Sequence, residues 1–415
     1  MTQDKTHKVS NVPPLRFPEF SGEWERIRVS DLLDFYSTNS LSWDQLEYEN
    51  TNILNLHYGL IHVGLPTLID LHYNKLPNIK QNNLPKSYEL CQEGDVAFAD
   101  ASEDTSEVAK VVEFFNLDGK QVVCGLHTIH GRDNSGKTIK GFKGYALSSQ
   151  PFHFQIRRLA QGTKIYSVSS KNFDESFISL PSKAEQKKIV SLLFLLDQRI
   201  STQIRVIDKL ESLIKGIVVT HFSNVPNKQV ITIADLGEAY SVGNLSKEDL
   251  SVEGEPCILY GELFTTYGCV AQCITSKTNK FEQATLSKIN DLLFPASTTV
   301  DAVSLIAPTS IQTDGVYVAG DLFGIHVSNK YNSQYISYLL NYVYKKELAK
   351  YAQGSTIIHL HYDDIKNAQI SVPTLLEQNK CSQLLSLQQK KLTAERSLLN
   401  MYQVQKAYLL QNMFI

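Results

Sequence analysis

The sharpest chemical signature in the chain is Gly131-Arg132-Asp133-Asn134-Ser135-Gly136-Lys137-Thr138, which satisfies the phosphate-loop pattern G-x-x-x-x-G-K-[ST]. Such a loop holds phosphate when a strand leads into it and a helix starts directly after it, so that backbone N–H groups and the helix dipole converge on the anion. Gln121 to Ile129 reads as a strand, but Ile139-Lys140-Gly141-Phe142-Lys143-Gly144 carries two glycines in six residues and is a poor helix start. The expectation is a flexible basic loop, not a nucleotide site. His359 and His361 with Asp363 and Asp364 have the composition of a metal cluster. The chain repeats itself at an offset of 192 residues, and the matching positions of the first copy, from 359 − 192 = 167 onward, hold Ser167, Ser169, Lys171 and Asn172 instead, so a strand entering a polar turn is preferred. Cys269 and Cys273 read as core thiols. The chain has no Pro-Asp…Glu-x-Lys nuclease pattern, no cofactor loop paired with Asn-Pro-Pro-aromatic, and no Ser/His/Asp or Cys/His set. No catalysis is expected.

Charge is more informative. Between Arg132 and Lys171 stand eight basic residues (Arg132, Lys137, Lys140, Lys143, Arg157, Arg158, Lys164, Lys171) and one acidic, Asp133. The net charge of the whole chain is −3, so this cluster is local, as phosphate contact requires. A solvated loop without a partner is the plain alternative. The second half offers Lys247, Lys277, Lys280 and Lys288, more scattered. His127 and His130 follow the strand, with His326 at the place of His130 (130 + 196 = 326); they reach a nucleic-acid backbone or finish a core.

The elements that position these residues occur twice. Leu180-Pro181-Ser182-Lys183-Ala184-Glu185-Gln186 is echoed by Val372-Pro373-Thr374-Leu375-Leu376-Glu377-Gln378, an offset of 373 − 181 = 192. The same offset pairs Ala160-Gln161-Gly162-Thr163 with Ala352-Gln353-Gly354-Ser355 and runs on to Phe222 against Phe414. The chain is a tandem duplication. Ser182 with Glu185, and Thr374 with Glu377, fit a capping box behind a proline that disfavours helix upstream. Ile189, Leu193, Leu196, Ile200, Gln203, Ile207, Leu210 and Ile214 then form a heptad seam, which Leu385, Leu392 and Leu399 answer in the second copy. Lys183 to Thr220 as helix is about 57 Å long. Leu384, Leu387, Leu398, Met401 and Tyr408 lie on a neighbouring stripe.

The expected fold is mixed α and β, with two globular domains separated by two long antiparallel coiled-coil helices in pseudo-two-fold repeat. Its divisions are an arm at 1–22, a first domain at 23–180, a helix at 181–222, a second domain at 223–372 and a helix at 373–415. Hydrophobic content of 42% is that of a soluble globular protein. Met1 to Ser10 is polar, no run approaches a membrane span, and the six cysteines lack C-x-x-C pairs. A cytoplasmic protein with reduced thiols is expected.

The ordered set of motifs resembles the DNA-specificity subunit of type I restriction-modification systems. Its carriers are Leu15-Arg16-Phe17-Pro18-Glu19-Phe20 with Gly22 and Trp24, Gly94-Asp95 to Ala99-Asp100-Ala101-Ser102-Glu103-Asp104, and Gly125-Leu126-His127-Thr128-Ile129. The Ala-Gln-Gly and Pro-Ser/Thr…Glu-Gln segments complete it in both copies. The second copy departs with Pro295-Ala296-Ser297 in place of Ala-Asp-Ala-Ser-Glu-Asp. The resemblance implies a non-catalytic subunit whose two target-recognition domains each read half of a split double-stranded DNA site. It also implies that the coiled coil sets the spacer and docks two methyltransferase subunits, which restriction/translocase subunits join. S-adenosylmethionine, ATP and magnesium would bind those partners and not this chain. Leu192, Phe194 and Leu195 are candidates for docking. A coiled-coil interaction adaptor without a DNA role, or the specificity part of a single-chain restriction enzyme, are the alternatives.

Overall fold

The computed structural model describes residues 11–48, 53–105, 107–280 and 285–415. The polar start, Met1 to Ser10, lies outside them. The chain divides into two units, one comprising Met1–Ile204 with Leu398–Ile415 and the other Arg205–Ser397.

In the first unit a five-stranded sheet runs in the order Asp34–Tyr36, Thr128–Arg132, Val96–Ala99, Val111–Asn116 and Leu68–Asp70. All pairs are antiparallel except the last. Val96–Ala99 is buried at every position, because the sheet is covered on both faces; such a strand reads as an unbroken apolar run. A second sheet orders Val122–Cys124, Leu54–Leu56, Asn78–Ile79 and Leu46–Glu47. Glu25–Arg28 pairs with Phe177–Leu180, which brings the start of the domain back to the helix entrance.

The second unit repeats the plan. Its main sheet orders Gly237–Ser241, Leu322–Val327, Asp291–Pro295, Thr309–Ile311 and Val270–Ala271, again with a parallel last pair. Gln229–Thr232 pairs with Gln369–Val372 before the second long helix, as in the first unit.

The long helices span Lys183–Asn224 (42 residues) and Leu375–Asn412 (38 residues). Within the second unit Glu211 meets Arg396 at 2.6 Å and His221 approaches Glu377 at 3.8 Å, so one helix rises as the other falls. Within the first unit Asp197 meets Lys406 at 2.6 Å. The seam residues Ile189, Leu193, Leu196, Ile207, Leu210, Ile214, Leu385 and Leu392 are buried, while Ile200 and Leu399 are half-buried. Gln203, the polar member, is buried as well. Leu384, Leu387, Met401 and Tyr408 of the neighbouring stripe are exposed.

The helix entrances differ from a capping box. The Ser182 hydroxyl does accept from the Glu185 backbone N–H at 3.3 Å. The Glu185 carboxylate does not reach back; it is buried and takes a bidentate ion pair from Arg16 of the arm, at 2.7 and 2.8 Å. An arginine fork outcompetes a backbone N–H for a carboxylate because both oxygens are satisfied at once. Glu377 likewise pairs outward, with Lys380. The glutamines beside them do the fastening. Gln186 donates to the carbonyls of Pro181 (3.0 Å) and Lys137 (3.1 Å) and accepts from Ile139 N–H (2.9 Å). Gln378 donates to Pro373 carbonyl (2.8 Å) and accepts from Asn332 N–H (2.9 Å).

Candidate nucleic-acid interface

The phosphate-loop match is used up internally. A helix does follow it, Phe142–Leu147, contrary to the glycine-based expectation. Gly141 supports the start by taking the left-handed conformation, φ +91°. The N–H groups of Gly141 and Gly144 donate to the two oxygens of Glu113, at 2.7 and 2.6 Å. Glu113 is fully buried, with Lys143 3.6 Å away. Burial pushes its carboxyl up, against the downward pull of Lys143 and the two N–H groups. A carboxylate of the protein thus occupies the N–H groups at the start of this helix. Upstream, Asp133 takes the N–H and hydroxyl of Thr138 at 2.8 and 2.7 Å, closing the loop on itself.

Of the twelve basic candidates, Lys171 and Lys288 are exposed, and the other ten separate into two kinds. Arg132 and Lys143 are buried, which removes them from the phosphate-contact set. Lys143 serves Glu113 and the Thr138 hydroxyl (2.9 Å). Arg132 forks onto Asp95 (2.9 and 2.8 Å), reaches Glu89 (2.8 Å) and lies 4.5 Å above the Tyr36 ring. The Asp95 bonds push this guanidinium further up from its ordinary value. Basic residues amid glycines read as surface in a sequence; here a buried acid recruits them. Lys137 and Lys140 are at the surface in ion pairs with Glu25 (2.8 Å) and Glu93 (2.7 Å). Arg157 and Arg158 close the helix Gln150–Leu159 and are exposed, as is Lys164. In the second unit Lys247 and Lys277 are exposed, and Lys280 is exposed and paired with Asp249 at 3.0 Å.

The two expected histidines part company. His127, at positive φ (+54°), is half-exposed and bonds Asp100 at 3.0 Å. His130 is wholly buried, its Nε2 2.7 Å from Asp95. Burial pushes the Asp95 carboxyl up, but the hydrogen bonds of His130 and Arg132 outweigh it and hold the group below the usual carboxylate range. His326 is not the counterpart of His130. Tyr36 pairs across strands with His130, and Tyr240 with Gly324. Since 36 + 204 = 240 and 130 + 194 = 324, His130 corresponds to Gly324, and Arg132 to His326 (132 + 194 = 326).

A cluster that charge reasoning missed surrounds His127. The short helix Tyr58–His62 follows strand Leu54–Leu56 and presents Tyr58, whose ring lies 5.2 Å from His127 and 4.7 Å from His57. Trp43, exposed, stacks obliquely on His57 at 4.4 Å. Burial, then the neighbouring His127, push His57 down from its ordinary value. The second unit has a similar arrangement, with Tyr260 and Phe264 exposed on the turn after strand Glu255–Leu259. Exposed rings beside hydrogen-bonding side chains suit stacking on bases and contact with base edges. The sequence signal was Leu54-Asn55-Leu56-His57-Tyr58, an apolar strand running straight into aromatic residues.

The other candidates stay structural. His359 is in strand Ile358–His359, and Asp364 accepts from His361 N–H at 2.8 Å to start the turn Tyr362–Ile365. Cys269 is half-buried and Cys273 exposed, so neither is the core thiol expected. Phe194, expected at a docking surface, stacks on Phe115 at 5.2 Å instead, while Leu192 and Leu195 are exposed.

Residues 22–212 and 226–400 match the family model described as type I restriction modification DNA specificity domain. The chain belongs to that family. Its fold is similar to the crystal structure of a type I restriction-modification system S subunit from M. genitalium, at 15% identity and TM-score 0.59, covering 97% of this chain and 99% of that one. It is also similar to a structure described as the basis of complex assembly and conformational transition of the type I R-M system, at 15% identity and TM-score 0.51, covering 93% and 96%. No curated protein matches in sequence. Membership of this family gives the chain a role in DNA specificity. Among the described residues, no helix is long and apolar enough to cross a membrane.

Proposed function

We propose that the chain is a non-catalytic sequence-recognition subunit in which each unit reads one half of a bipartite, asymmetric DNA site. The duplication carries this reading: two α/β units of the same strand plan, each ending in a proline-marked entrance to a long helix. One plan used twice with different side chains suits two unlike half-sites. The helix Lys183–Asn224 is about 63 Å long at about 1.5 Å per residue, the length of roughly 18 base pairs, so the paired helices act as the ruler for the unread spacer. Trp43, Tyr58 and His127 in the first unit and Tyr260 and Phe264 in the second face the bases. Arg157, Arg158, Lys164, Lys247 and Lys277 contact phosphate, with Lys137, Lys140 and Lys280 joining if DNA displaces their carboxylate partners.

Two methyltransferase subunits dock on the exposed apolar faces of the helices, which include Leu192 and Leu195 in one unit and Leu384 and Leu387 in the other. Restriction/translocase subunits join through them. S-adenosylmethionine, ATP and magnesium belong to those partners. The test is co-expression with a methyltransferase subunit encoded beside this chain, then single-molecule sequencing of host DNA for methyladenine. A split motif with a fixed spacer, present only with this chain, is the expected result. A stable complex that adds no methylation would refute the recognition role. Inserting or deleting one helical turn between Ile204 and Ile214 should change the spacer, and an unchanged spacer would refute the ruler.

A further inference from the structure

We propose that Cys91, Cys124 and His130 form a zinc site inside the first unit. The two sulfurs and a ring nitrogen of His130 all lie within 4.8 Å of one another, and all three residues are buried. The sulfurs are 3.6 Å apart. Two zinc–thiolate bonds of about 2.3 Å at a tetrahedral angle separate their sulfurs by about 3.7 Å, so the pair already stands at that span. A disulfide needs about 2.05 Å.

The imidazole is prepared for this. His130 gives Nε2 to Asp95 at 2.7 Å, which leaves Nδ1 as the nitrogen with a lone pair; Nδ1 is buried and has no hydrogen-bond partner. A carboxylate behind a histidine is the usual outer support of a zinc ligand, fixing tautomer and orientation. Backbone holds the sulfurs: Cys91 N–H donates to Val122 carbonyl at 2.8 Å, and Cys124 ends the same strand. Two thiolates and a neutral imidazole cancel the double positive charge of the ion, which suits surroundings as apolar as Leu56, Ala97, Phe114 and Val122.

The second unit shows that packing alone does not require these residues. Ser287 N–H donates to Val316 carbonyl as Cys91 N–H does to Val122. Hence Cys91 corresponds to Ser287 (91 + 196 = 287), Cys124 to Val318 (124 + 194 = 318) and His130 to Gly324. The same fold closes there on a hydroxyl, an isopropyl group and no side chain at all, none of which is a zinc ligand in this setting. Among the described residues, the donor set occurs in the first unit and not in the second.

The test measures zinc in the dialysed full-length chain by mass spectrometry, for the unaltered protein, Cys91→Ser, Cys124→Val and the second-unit control Cys257→Ser. Serine and valine are what the second unit carries, so both variants are expected to fold, and fluorescence of Trp24 and Trp43, which both lie in the first unit, checks that they do. The expected result is about one zinc per chain in the unaltered protein and the control, and roughly tenfold less in the other two. X-ray absorption at the zinc edge is expected to show two sulfur neighbours. A zinc-free chain with both thiols free overturns the proposal. So does a Cys91–Cys124 disulfide, and so does zinc that survives both substitutions.

Discussion

The two units solve one problem with different residues. Each places a buried aspartate at the entry to the central strand of its main sheet, Asp95 in the first and Asp291 in the second. Asp95 takes the His130 imidazole and the Arg132 guanidinium. Asp291 takes the Tyr240 hydroxyl at 2.8 Å and the His326 imidazole at 2.7 Å, with the two rings stacked 4.1 Å apart. Tyr240 reaches over Gly324, where a Cβ would stand 2.1 Å from its ring. The fold therefore dictates that a carboxylate is buried and must be satisfied, and leaves open which donors satisfy it.

That difference can be broken. Asp95→Ala breaks the buried ion pair, taking both forked bonds from Arg132 and leaving it only Glu89 and the Leu90 carbonyl, and is expected to destabilise the first unit by about 3–5 kcal/mol. Because both tryptophans lie in that unit, denaturation followed by their fluorescence reads it directly. Asp291→Ala leaves behind no permanently charged partner, so about 1–3 kcal/mol is expected for the second unit, seen by calorimetry with tryptophan fluorescence unmoved. Equal losses in the two would mean that the guanidinium is not the deciding element.

Acid sharpens the contrast. The folded pKa of Asp95 lies below its unfolded value of about 3.9, so its contribution is present above that pH and fades as pH falls through the folded value. Tryptophan fluorescence across that window should show an acid transition that Asp95→Ala lacks. Gly324→Ala should cost about 1–3 kcal/mol by driving the Tyr240 ring off Asp291, whereas Tyr240→Phe, which keeps the ring, should cost about 1 kcal/mol. The smallest effect on folding is expected from reversing Arg157, Arg158 and Lys164 together, within about 0.5 kcal/mol. The same triple change should weaken DNA binding and flatten its salt dependence by roughly 0.9 per lost phosphate contact, measured by titration at several salt concentrations.

Periodicity was the legible part of the sequence. The heptad from Ile189 to Ile214 became a buried seam because a seven-residue repeat leaves a helix few other ways to hide that stripe. The duplication was equally plain, since Pro181 and Pro373 mark identical entrances. Charge is less legible. Arg132 and Lys143 looked like surface because nothing local announces a buried acid, and their partners Asp95 and Glu113 stand 132 − 95 = 37 and 143 − 113 = 30 residues away. Cys91 and Cys124, 124 − 91 = 33 residues apart, meet only because one strand bonds the backbone of the other's segment. Tyr58 and His127 come together for the same reason: sequence distance hides what sheet pairing joins.

The glutamine fastenings carry a consequence of their own. Gln186 grips Pro181 and Lys137 carbonyls and the Ile139 N–H; Gln378 grips Pro373 carbonyl and the Asn332 N–H. Every group held is main chain. The glutamine part of each anchor asks for a path of the polypeptide and is blind to the side chains along it. A recognition surface mounted this way is free to rewrite its chemical lettering without renegotiating its mooring.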